Sequence, residues 1–505
     1  MKMLLRKFVA LFLCVTIVLP VTGGSATRPQ PESSRVAPPL SLREYLHKSY
    51  QDLFELAPKL EFSAAEIEDQ RNALKSGKDI CVDRFENHSK QFAKQIDAAR
   101  KELKKNTATL TEAERKQVHC NIQNLDLLKS EADVLAGQAI PTAYDNLNAK
   151  LDVMQLWPAQ HQQIQQEIAS GSYHTRRWGD VKDIGFRQIE PNQQDDIKRG
   201  AQAAEEMKRL GIMPPAVEEK AIQEYVRSVA ERIAKYSDLK VPLHVEVLQS
   251  REINAFALPG GYVFIERGLL EAADDESELA GVLAHEIAHD TARHSNKLMK
   301  GATIASLLYQ AAQIAAMVLT GGAASIGMYY ALQYGFYGLG LVLDLKLLGV
   351  SRDYELEADQ LGVQYAWNAG YDPGGFIRFF DKMATKKGYV NGVSWFRTHP
   401  PFYQRMVQSE REIMFLQPKP EAITQTSAFE QMKKDLALVV AKAEKEETGK
   451  PSLLITHEEG CEPPKKLEYR PDQPIEELCS SLPLITQSGG AQSNGRDFDA
   501  TRPTD

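Results

Sequence analysis

Cysteine is scarce. Only five occur in 505 residues, so a disulfide scaffold cannot replace an apolar core, and 43% hydrophobic residues supply one large enough for two or three domains. Positive charge is also in deficit, with 60 Lys and Arg against 68 Asp and Glu for a net charge of -8. No basic block interleaved with aromatics appears, which argues against a nucleic-acid partner. Solenoid-length repeats are absent too. Charge itself is missing between Lys300 and Asp344. Gly321-Gly322 divides this run into halves that are each about long enough to cross a bilayer. Gln310, Gln313, Gln333 and many small residues favour a packed or membrane-surface hairpin over a true span, and a membrane neighbour is expected in either case.

What is present begins with an export-like segment. Lys2, Arg6 and Lys7 precede an apolar run from Phe8 to Val21, and Gly24-Ser25-Ala26 offers small residues for cleavage, so 1–26 is expected to be a signal peptide. Cys14 lies inside that run without the small residue a lipobox wants before it. Cys81, Cys120, Cys461 and Cys479 then remain for an oxidising compartment, with three pairings open. Cys461 to Cys479 spans a Pro-rich stretch and is the favoured bridge; Cys81 and Cys120 would sit at different heights of a helical hairpin turning near Asn106. After a linker at 27–41, residues 42–172 read as a helical hairpin or small bundle, punctuated at Ser76-Gly77 and Asn106-Thr107. A polar linker at 173–195, a main domain at 196–415 with the apolar hairpin at 301–343, an extension at 416–486 carrying a helix over Ser427 to Glu446, and a disordered tail at 487–505 complete the division.

The chemistry is concentrated in His285-Glu286-Ile287-Ala288-His289. Two histidines four apart on a helix stack about 6 Å apart, close enough for both rings to reach one Zn²⁺, and Glu286 projects beside the metal as a general base. Asp274, Asp275, Glu276 and Glu278 suit the positive N-terminal end of such a helix, and Leu279, Leu283 and Ile287 form a buried stripe. A catalytic zinc site needs a third ligand. A metzincin would want Gly at 292 and His at 295, where the chain has Ala292 and Ser295, and His294 falls one residue off. Glu355 offers the alternative, with Asp359 four residues on, on the same helix face, to orient a zinc-bound imidazole; Glu357 points elsewhere. Between Pro242 and Gln249, Leu243, Val245 and Val247 alternate with His244 and Glu246, and the β-rich stretch Tyr262 to Ile265 follows a Pro-Gly-Gly turn. A hairpin or small sheet is expected there, with an edge that could bind an extended peptide.

Asn254 to Ile265, HEIAH, Ser351 to Asp359, and Thr398-His399-Pro400-Pro401 with Arg405 occur in one order. In that order they resemble the gluzincin metallopeptidases, the family of HtpX, the CAAX prenyl endopeptidase, the mitochondrial OMA-type proteases and the periplasmic BepA-like and LoiP-like enzymes, the last two most of all. The resemblance covers about residues 190 to 415. It implies His285, His289 and Glu355 as ligands of one zinc per chain, Glu286 as general acid/base and Asp359 as partner of a ligand histidine. His399 and Arg405 match positions near the catalytic centre, suited to the oxyanion or substrate backbone. In some periplasmic relatives this histidine instead approaches the zinc and blocks it. Asn254 is a substrate-side candidate. The expected protein is α+β, mainly helical: a zincin-like metalloprotease domain with a small sheet edge, preceded by a helical bundle. Its expected activity is exported zinc endopeptidase, acting on polypeptides such as misfolded or misassembled envelope proteins. The rival reading is a chaperone-like assembly factor with an autoinhibited zinc site.

Overall fold

A computed structural model describes residues 40–106, 109–172, 176–189, 193–209, 213–299, 352–385, 399, 403–447 and 479. The signal-like segment, the uncharged run at 301–343, Cys461 and the tail at 487–505 lie outside the described residues. Among the described residues no helix is long and apolar enough to cross a membrane.

The architecture is α+β and mainly helical, built around one buried helix. Numbering helices over the described residues, the N-terminal region comprises α1 (Leu42–Leu46), α2 (Tyr50–Leu56), α3 (Ala64–Asn106), α4 (Glu112–Val134) and α5 (Ile140–Ser170). Helix α3 runs unbroken through Ser76-Gly77, where the Gly77 backbone lies so near Tyr144 that a Cβ would meet its hydroxyl at 2.9 Å. The turn expected at Asn106 is present, and α4 folds back along α3. Helix α6 (Gln193–Arg209) and α7 (Lys220–Lys235) follow; α7 buries Ile222, Val226, Val229, Ala230 and Ile233, the spacing of an amphipathic helix.

Strands β1 (His244–Leu248), β2 (Ala255–Leu258) and β3 (Tyr262–Glu266) form a sheet in the order β1-β3-β2. The hairpin joins β2 to β3 through Pro259-Gly260-Gly261, whose glycines take φ of +85° and +91°, while β1 pairs with β3 in parallel. Alternation decides the faces. Val245, Val247, Ala255, Ala257, Val263 and Ile265 enter the main core, and Leu248, Phe256, Leu258 and Phe264 meet Ala203, Ala204 and Met207 of α6 on the other side.

After α8 (Arg267–Ala272) comes α9 (Glu276–Thr291), then α10 (His294–Met299), α11 (Arg352–Asn368), α12 (Gly375–Thr385), α13 (Tyr403–Phe415) and α14 (Ser427–Glu447). Every residue of α9 except His289 is buried, so the single buried stripe expected for it is replaced by burial all round. Its acids are consequently paired. Asp275 caps the helix through the Glu278 N–H at 2.9 Å, Glu276 accepts from Tyr371 at 3.2 Å and from Thr426, and Glu278 meets Lys382.

The N-terminal region shares this core. Lys150 of α5, fully buried, reaches Asp381 of α12 at 2.8 Å and the Lys48 carbonyl at 2.6 Å, and Trp157 donates to the Phe54 carbonyl at 3.0 Å. The stretch expected to be a linker is instead a strap across α11 over its described part, residues 176–189. Arg187 binds Asp238 and Gln364, and Gln360 and Gln364 donate to the Gly179 carbonyl at 2.9 and 3.0 Å. Cys479 is bonded to Cys81 of α3, with Cα atoms 5.2 Å apart, rather than to Cys461 as its spacing suggested; Cys120 is also disulfide-bonded. A pairing across 398 residues leaves no local trace in a sequence.

Candidate metal centre

Helices α9 and α11 cross at close range, and Gly362 permits it: a Cβ there would stand 3.0 Å from the His285 backbone nitrogen. The crossing sets Glu355 and Asp359, one turn apart on α11, against His285 and His289, one turn apart on α9. The Nε2 atoms of the two histidines are 3.0 Å apart. Glu355 Oε2 lies 3.5 Å from His285 Nε2 and its Oε1 3.3 Å from His289 Nε2. His399 joins them, so that four donor atoms lie within 4.8 Å of one another. Two or three imidazoles and a carboxylate at this separation fit a metal ion.

The surroundings hold the donors in place. His285 Nδ1 is 3.0 Å from Asp359 Oδ1, and its ring stacks on Phe376 at 5.2 Å between centroids. Arg405 grips Asp359 with two hydrogen bonds of 2.6 and 2.7 Å and reaches Glu355 Oε2 at 3.0 Å, its guanidinium lying over Phe376 and Phe380. It is completely buried. The structure therefore sets Arg405 behind two acidic residues of the site, a different station from the substrate-facing one suggested by the sequence. Glu286 is buried beside the donors, with Oε1 3.3 Å from His399 Nε2. Asn254 is buried just before β2, and its carbonyl accepts from the Glu266 N–H at 2.9 Å, closing the β2-β3 ladder.

Burial and charge set the protonation states. Burial raises the Glu286 carboxyl, with His289 and His285 opposing, which moves it in the direction that suits a base working near neutrality. Burial would raise Glu355 as well, but Arg405 and the imidazoles outweigh it and hold that carboxyl well below its usual range. Burial alone would lower His285; hydrogen bonds to Asp359 and Glu355 carry it up to about 9. His399 is pushed well below the usual imidazole range by burial.

Residues 220–412 match the sequence profile of Peptidase family M48. The chain carries an M48 domain. It is similar to the beta-barrel assembly-enhancing protease of Yersinia pestis, 28% identical over 229 residues that cover 45% of this chain and 46% of that one. The mitochondrial metalloendopeptidase OMA1 of Schizosaccharomyces pombe is 33% identical over 202 residues, covering 39% of this chain and 55% of its own length. A putative beta-barrel assembly-enhancing protease of Vibrio cholerae is 31% identical over 208 residues, 40% and 41% of the respective chains. The chain thus spans about half the length of the curated relatives it matches.

Two residues of the M48 domain were set aside in the sequence and stand beside the donors in the structure. His294 Nδ1 is 2.9 Å from His289 Nδ1, and His294 Nε2 is 3.1 Å from Glu357 Oε2. The spacing of His294 matched no metzincin pattern, and Glu357 is out of register with Glu355; a signal existed only in their shared proximity to HEIAH and Glu355.

Proposed function

We propose that this chain is a zinc-dependent endopeptidase in which His285, His289 and Glu355 hold the metal and Glu286 is the general acid/base. The convergence of these three donors, with Glu286 buried next to them, carries the reading. Zinc, which suits a two-imidazole, one-carboxylate donor set, supplies polarisation of the scissile carbonyl and acidification of a water. Glu286 takes the proton released as the peptide carbonyl is attacked and delivers it to the leaving amine. Asp359 and Arg405 hold His285 and Glu355 in place; Arg405 also neutralises two buried carboxylates that would otherwise repel each other.

Polypeptide substrates are expected from the family, and the outer strand beside α9 is β2. One of its carbonyls, Ala257, already accepts from Ser295 Oγ at 3.0 Å, so an extended substrate has at most part of this edge to pair with. The Cys81–Cys479 bridge supports an oxidising, exported location, and the names of the bacterial relatives support a role in envelope protein quality control. The purified protein is expected to hold about one zinc per chain and to cleave an unfolded protein substrate. Glu286→Gln should abolish cleavage while keeping the metal. Stoichiometric client binding that Glu286→Gln leaves unchanged, with no cleavage even from His399→Ala, would reject the enzyme in favour of a binding protein.

A second state is supported by the place of His399 among the four donors. As a fourth ligand it would close the position that a substrate carbonyl or water needs and leave the enzyme autoinhibited. His399→Ala should then raise the basal cleavage rate, whereas a catalytic His399 would make it fall.

A further inference from the structure

The two histidines of HEIAH present one ring nitrogen to the centre and turn the other outward. For His285 the outward nitrogen meets the Asp359 carboxylate. For His289 it meets another imidazole, that of His294, whose far nitrogen meets Glu357. His294 is 1% exposed and lies face to face with Tyr354, the centroids 4.4 Å apart and the planes 13° from parallel. It gets there by a tight reversal. Arg293, between α9 and α10, has φ of +58°, a conformation that disfavours side chains, and its guanidinium is bonded to Asp196 at 2.6 Å.

The nitrogen-to-nitrogen contact allows one assignment of protons. A metal-binding His289 must offer the lone pair of Nε2, so its proton sits on Nδ1. That proton points at His294 Nδ1, which must accept it, and this leaves the His294 proton on Nε2, aimed at the Glu357 carboxylate. All three groups are satisfied at once.

We propose that His294 and Glu357 are positioning residues for the metal, a relay that fixes the tautomer and the ring orientation of His289. The inference rests on the metal-site reading above and extends it to residues that donate no lone pair to the ion. Orienting partners of this kind are worth about 10- to 100-fold in metal affinity. The pair also makes the site asymmetric, since His285 is backed by an anion and His289 by a neutral ring.

The test is zinc affinity of the full chain by competition with a chromophoric chelator, alongside the melting temperature of each zinc-free variant. His294→Phe keeps the stack on Tyr354 and removes the acceptor; it should bind zinc about 10- to 100-fold more weakly. His294→Asn places an oxygen near the Nδ1 position and should restore most of that loss, which a role in packing alone would not predict. Glu357→Met should weaken binding in the same direction, and Glu357→Gln, still an acceptor, should do so less. If wild type binds zinc and His294→Phe binds it equally well, the relay is wrong and the metal site stands. Wild type without zinc affinity would instead overturn the metal site itself. Should zinc-free His294→Phe melt early, Glu357→Met, at a position whose side chain is 23% exposed, decides the matter: unchanged affinity there rejects the relay.

Discussion

Helices α9 and α3 are both central to their regions and are held in opposite ways. Helix α9 is 16 residues long and leaves only His289 less than fully buried, whereas α3 is 43 residues long and buries a thin stripe, Ile67, Leu74, Cys81, Phe85, His88, Ser89 and Ile96. The first is surrounded by α7, α11, α12 and β2; the far half of the second packs against α4 over a small satellite core of Ile96, Ile122 and Leu125. Precision of the candidate metal centre is therefore bound to global stability, while the far end of the α3-α4 hairpin, with its small core, is expected to open at lower cost.

The largest expected effect is at Arg405. Arg405→Met leaves Asp359 and Glu355 buried without their cation and should cost about 3–5 kcal/mol in denaturant unfolding; a loss below about 1 kcal/mol would show that the centre tolerates unpaired acids. Gly362→Ala comes next. Its Cβ would press on the α9 backbone at His285, so about 1–3 kcal/mol should be lost and zinc should bind more weakly. Further along α13, burial, helped by the charges of Glu55 and Asp372, pushes the Glu410 carboxyl from 4.5 up to about 7. The folded state then holds the proton more tightly than the unfolded chain, so stability falls as pH rises from 4.5 to 7. Glu410→Gln should equal wild type near pH 4 and be more stable by about 1 kcal/mol at pH 8. The smallest global effect belongs to the hairpin. Ile122→Ala should move the unfolding midpoint little, yet hydrogen exchange should accelerate across the facing ends of α3 and α4 while α9 stays protected. Equal acceleration in α9 would erase the contrast between the two regions.

Much of the candidate metal centre was legible because its information is local. HEIAH and the Glu355/Asp359 pair each repeat at one helical turn, and α14, expected over Ser427 to Glu446, runs Ser427–Glu447. The β2-β3 hairpin announced itself by Pro-Gly-Gly. What escaped depends on partners far away in sequence. The all-round burial of α9 is hidden by acids whose partners, Lys382, Tyr371 and Thr426, come about 100 residues or more later. Ser76-Gly77 looked like a break because the tyrosine that occupies the space above Gly77 is in another helix. The polar run at 176–189 looked solvated, since nothing in it shows that Gln360 and Gln364 wait on α11.

The bond between Cys81 and Cys479 has a consequence for anyone who follows the fate of this chain. It closes a covalent ring that contains the whole M48 domain. A single cut anywhere inside that ring, including one that the proposed endopeptidase activity would make in its own chain, yields two fragments that still travel as one molecule. Under non-reducing conditions such processing is silent, and only after reduction would a self-cleaved population separate from the intact one.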